Sequence, residues 1–109
     1  MILYYAFGGG LGHLTRASAV IYTFGHQPHD FYILTSSDFA SIIFEEKNII
    51  RLPNDLYSKP QELKAAVESI ILEYNITVFY IDSFPAGING ELNNLKINNL
   101  NLKNYVNQI

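Results

Sequence analysis

Four short apolar runs constrain this chain more than any other feature of it. Ile2-Leu3-Tyr4-Tyr5-Ala6-Phe7, Phe31-Tyr32-Ile33-Leu34-Thr35, Ile49-Ile50-Arg51-Leu52 and Thr77-Val78-Phe79-Tyr80-Ile81 each have the length and residue types of one strand. The last is hydrophobic on both faces, as a strand in the middle of a covered sheet must be. Helical segments stand between them. Ala17 to Phe24 reads as a helix closed by Gly25. Ser36-Ser37-Asp38 offers an N-cap for a short helix through about Glu46, ended by Asn48. Pro60 opens the clearest helix, in which Leu63, Ala66, Val67, Ile70, Ile71 and Tyr74 share one face and after which Asn75 ends the element. Strands alternating with helices predict an α/β fold: a parallel, Rossmann-like sheet with right-handed crossovers, in the order 3-2-1-4.

That order makes the gap between strands one and four a topological switch point, and ligands bind at the carboxyl ends of strands there. Two segments leave the sheet at this place. One is Gly8-Gly9-Gly10-Leu11-Gly12-His13-Leu14-Thr15-Arg16, between strand one and its helix; the other is Asp82-Ser83-Phe84-Pro85-Ala86-Gly87-Ile88-Asn89-Gly90-Glu91, after strand four. Glycine permits positive φ and lets a ligand approach the main chain closely. The N–H groups of the following helix turn, with the helix dipole, favour an anion. Gly8, Gly9, Gly10 and Gly12 thus suit a phosphate or sugar-phosphate cradle. The spacing is not a dinucleotide fingerprint, because His13 and Thr15 stand where its third glycine belongs, and it is not a P-loop, because no lysine follows. Arg16 near a helix N-terminus is disfavoured by the dipole, which an intervening anion would relieve. A solvated outer face is the alternative reading of Arg16.

The glycine loop resembles the first loop of GT-B glycosyltransferases, both the lipid-linked N-acetylglucosaminyltransferase branch and the branch with a Gly-His-x-x-Arg loop. Leu11 stands where the first branch has a glycine and Arg16 where it has a proline, which counts against a lipid-diphosphate acceptor. The segment Asp82 to Glu91 is similar to the Asp-Ser-Phe-Pro-x-Gly-x-x-Gly-Glu-Leu segment of the same enzymes, so the resemblance spans most of residues 1 to 92. It implies the acceptor-binding N-terminal part of an enzyme that moves a sugar from a nucleotide-sugar donor to a hydroxyl acceptor, with no metal and no other cofactor. A C-terminal domain would hold most of the donor, so this chain alone is expected to be inactive. A nucleotide-sugar epimerase of the same fold and a non-catalytic flavodoxin-like binding module are the alternatives.

His13 is the candidate general base, since imidazole titrates near neutral pH and can take a proton from an attacking hydroxyl. Its plain reading is a helix-start histidine bonded to backbone. Asp82 is the candidate orienter of His13, as the third group of a triad is, or else a turn cap. Ser83 and Phe84 are counted with the substrate contacts, Phe84 as a surface for a sugar ring. Glu91 is first a helix-start carboxylate and second an acceptor-hydroxyl contact. His26, His29 and Asp30 have loose metal-ligand spacing but precede strand two, at the other end of the sheet, so no metal site is assigned.

The 109 residues are enough for one domain, and 49% are hydrophobic. No run approaches the ~20 apolar residues of a spanning helix, and Met1-Ile2-Leu3-Tyr4-Tyr5 lacks a signal peptide's charged start. The absence of cysteine fits a cytoplasmic protein. A net charge of −3 counts against nucleic acid as a partner, while peripheral contact at the inner membrane face stays open and self-association is expected. Residues 1–92 read as the partial Rossmann-like domain. Residues 93–109, with asparagine at 93, 94, 98, 99, 101, 104 and 107, read either as a poorly ordered tail or as a helix packing back through Leu95, Leu100 and Leu102.

Overall fold

The computed structural model of the chain describes residues 1–7, 11–81 and 100–104, the last three by their backbone. Strands β1 (Ile2–Tyr5), β2 (Phe31–Thr35), β3 (Ile49–Arg51), β4 (Val78–Ile81) and β5 (Asn101–Asn104) alternate with helices α1 (Gly12–Phe24), α2 (Ala40–Ile43) and α3 (Pro60–Glu73). Single 3-10 turns at Glu46–Asn48 and Asn54–Ser58 flank β3. The sheet order is β3-β2-β1-β4-β5, and every pairing is parallel. The α/β class and the order 3-2-1-4 of the first four strands follow the expectation; β5 extends it. None of the helices among the described residues is long and apolar enough to cross a membrane.

Each face of the sheet has its own core. On one, Leu3, Tyr5, Phe79 and Ile81 meet Leu63, Val67, Ile70 and Ile71 of α3, which is the stripe that helical spacing predicts. On the other, Tyr4, Ile33 and Tyr80 meet Leu14, Ala17, Val20 and Ile21 of α1 and Ala40 of α2. Alternate residues of one strand therefore serve opposite layers, as the period of two requires. Tyr4 is fully buried and stacks on Tyr80 with ring centroids 4.8 Å apart. Its hydroxyl shares a 2.5 Å hydrogen bond with His26 Nδ1, so the phenol is buried without losing a partner. Burial also pushes the Tyr80 phenol above its ordinary pKa. Asn48, 4% exposed, donates from Nδ2 to the carbonyls of Pro28 and Phe31 and ties the turn before β3 to the start of β2.

Several boundaries depart from the sequence reading. Helix α1 begins at Gly12, not Ala17, so His13 and Arg16 lie inside its first two turns. It ends as expected at Gly25, whose φ of 69° is the left-handed conformation that glycine adopts without a Cβ clash. The helix expected from Ser36-Ser37-Asp38 to Glu46 is only Ala40–Ile43. No side chain caps it; Ser37 Oγ instead accepts from the Phe39 N–H, a local turn that competes with a helix start. The tail is the largest correction. Asn101–Asn104, expected to be poorly ordered or helical, forms β5, with Val78 paired to Asn101 and Ile81 to Asn104. The sheet thus reaches past the boundary drawn at residue 92, and Leu100 packs against the α3-side core from the strand's entry, not from a helix.

Candidate functional site

Tyr5 of β1 is paired with Ile81 of β4, so the two strands end level at their carboxyl edge. β1 lies between β2 and β4, and the next strands in the chain after β1 and β4, which are β2 and β5, lie on opposite sides of that pair. This is the switch-point geometry at which α/β sheets bind ligands. Of the candidate residues, Gly12, His13 and Arg16 are described. Gly8, Gly9, Gly10, Asp82, Ser83, Phe84 and Glu91 lie outside the described residues.

The three form one group on the first turns of α1. Leu11 precedes the helix with no side-chain cap bond, and the first turn carries no acidic residue. The first N–H groups of any helix have no partner within it, and the dipole gives that end a partial positive charge. Thr15 turns its hydroxyl back to the Gly12 carbonyl at 3.0 Å. Arg16 folds back along the helix, and its Nη2 lies 3.3 Å from His13 Nδ1. Residues three apart on a helix are neighbours, so this contact follows once the helix starts at Gly12. Arginine only donates; Nδ1 therefore carries the lone pair, and in the neutral ring the proton sits on Nε2. Sequence reasoning missed the His13–Arg16 contact because it began the helix too late; the i, i+3 spacing was its signal.

Gly12 is not glycine for conformational reasons. It sits inside the helix, and Gly25 is the only described glycine with positive φ. Among the described residues, a Cβ on Gly12 would meet only the Arg16 guanidinium, at 3.6 Å, an ordinary contact with a movable group. Gly12→Ala should therefore keep the fold and leave stability unchanged or raised by up to ~1 kcal/mol, while weakening any ligand that packs against the bare backbone. Thermal unfolding and ligand titration of the variant check both halves. A clear loss of stability would show that glycine serves the fold, and unchanged ligand binding would show that no ligand packs there.

The histidines before β2 have structural partners. His26 bonds Tyr4 and lies against Phe24 and Tyr80, with centroids 5.8 and 6.1 Å away. His29 Nε2 is 3.4 Å from the Asp30 carboxylate. Among the described residues no three His, Asp or Glu side chains are grouped to hold a metal. No family model matches the chain, and no curated protein or solved structure matches it significantly.

Proposed function

We propose that this chain is the acceptor-side half of a GT-B glycosyltransferase, which moves a sugar from a nucleotide-sugar donor to a hydroxyl acceptor. The supporting observation is the start of α1: at a switch-point edge, a helix without a side-chain cap carries an imidazole and a guanidinium in direct contact. In this reading the acceptor hydroxyl lies over that turn. His13 takes its proton as the oxygen attacks the anomeric carbon, and the bond to the nucleoside diphosphate breaks with the electron pair leaving on the diphosphate. Arg16 holds the Nδ1 lone pair until ligand arrives, then turns to an anionic or hydroxyl group of the ligand and releases Nδ1 for the proton. Asp82 accepts Nε2–H and stabilises the imidazolium, as the third member of a triad does. Gly8, Gly9 and Gly10 let the acceptor approach the main chain, with Ser83, Phe84 and Glu91 as further contacts. A second Rossmann-like domain supplies the nucleotide sugar, and the enzyme works in the cytoplasm, at or near the inner membrane face.

The test is nucleoside diphosphate release by the full-length protein supplied with nucleotide sugars and candidate acceptors. Release that depends on acceptor is the expected result. Interconversion of the nucleotide sugar without transfer would replace this reading by an epimerase, and tight binding by residues 1–109 with no turnover in the longer protein would replace it by a binding module.

A further inference from the structure

A second concave site lies on the same edge of the sheet. The segments that follow β2 and β3 border an open cleft of about 440 Å³, lined by Ser36, Asp38, Phe39, Arg51, Leu52, Pro53 and Asn54. That volume is in the range of small-molecule sites. Its walls are braced. Ser36 Oγ donates to Asn54 Oδ1 at 3.1 Å and joins the two segments. Arg51 is held by both oxygens of Glu46, at 2.6 and 2.9 Å. Phe39 lines the opening with 45% of its surface exposed, far more than an aromatic ring in a core position.

The charges decide what fits. Arg51 is the cavity's only cation among the described residues, and Glu46 already neutralises it. Asp38 adds a second carboxylate close enough to strengthen the field on Arg51. One cation against two carboxylates does not suit a phosphate. The other polar groups of the lining are the Asp38 carboxylate as acceptor and the Asn54 amide, whose Nδ2 donates. This mixture of donors and acceptors beside an exposed ring matches a pyranose, with adjacent hydroxyls on its rim and an apolar face of C–H groups.

We infer that this cavity holds a neutral sugar ring, with its C–H face on Phe39 and its hydroxyls on Asp38 and Asn54. β3 is two strands from β1, so the cavity lies about 5–10 Å along the edge from the end of β1. An acceptor that runs along this edge passes both places. Resting on the acceptor-side reading, the acceptor is therefore itself a saccharide: one sugar presents its hydroxyl to His13 and the next sits in the cavity.

Amide chemical shifts of residues 1–109 test this during titration with glucose, galactose and N-acetylglucosamine, with methyl phosphate and methylammonium as charged probes. At least one sugar should shift the amides of Ser36, Asp38, Phe39, Arg51 and Asn54 with millimolar affinity. Phe39→Ala and Asp38→Asn should each weaken this binding about tenfold; both residues are exposed, and unchanged amide dispersion elsewhere confirms the fold. Three results would overturn the inference: no sugar shifts these amides, neither substitution weakens the binding, or a charged probe binds there more tightly than any sugar. Shifts at Gly12, His13 and Arg16 alone would overturn the cavity and leave the acceptor-side reading standing. Shifts at the cavity alone would retain the sugar site and remove that reading.

Discussion

On the proposed transferase reading, replacing His13 with alanine should lower turnover by ~10²–10⁴ with little change in donor affinity, the range in which a positioned base acts. The size follows from the role. In the proposed reaction the acceptor hydroxyl is a poor nucleophile until its proton is withdrawn, and the half-buried imidazole on α1 is the group proposed to withdraw it. Arg16 cannot substitute, because a guanidinium carries no lone pair for a proton. Steady-state kinetics of parent and variant, with donor affinity measured alongside, check both. Near-normal turnover in His13→Ala would reduce His13 to a helix-start residue bonded by Arg16.

The second large effect is on stability. Phe79→Ala should cost about 3–5 kcal/mol, the usual result of emptying a buried aromatic site. Phe79 has no exposed surface, lies in β4 and stands edge-on to Tyr5 with centroids 5.8 Å apart. The α3 residues packed around it, Leu63, Val67 and Ile71, are fixed on a helix and cannot all close the gap. Because small domains hold a total of only about 5–15 kcal/mol, the variant should be largely unfolded under mild denaturant. Urea unfolding followed by circular dichroism measures it. A loss under about 1 kcal/mol would show that β4 is not clamped between β1 and α3, and the level ends of β1 and β4 would then lose their support.

How far the sequence carried this fold depended on which interactions hold each part. β1, β2 and β4 were legible because their burial is recorded in residue type: Leu3, Ile33, Leu34 and Phe79 are fully buried, as apolar and aromatic runs imply. Helix α3 was legible for the same reason, and Pro60 marked its start. β5 was not. It is an edge strand tied to β4 by backbone bonds, such as the Asn101 N–H to the Thr77 carbonyl at 2.9 Å, and its asparagines give no β signal. Gly12 and Thr15 hid the first turn of α1, since both are poor helix formers whose preference the tertiary packing of Leu14 and Ala17 overrides. The cavity between the ends of β2 and β3 escaped because its residues come from two short segments, each of which reads by itself as an ordinary cap or loop. Of the site, the Gly12–His13–Arg16 group was named from sequence, while the bond between His13 and Arg16 needed the helix start.

In the proposed reading, residues 1–109 carry the acceptor's half of a two-domain transferase. Holding donor and acceptor in line is worth about 7–11 kcal/mol of catalysis, which one half-site cannot supply. The direct measurement runs the full-length protein and residues 1–109 in parallel, with calorimetric titration by nucleotide sugars and a coupled transfer assay. The expected result is acceptor-dependent transfer by the full-length protein, and neither transfer nor micromolar donor binding by residues 1–109. Micromolar donor binding or measurable turnover by residues 1–109 would contradict the account, as would a full-length protein that transfers no sugar.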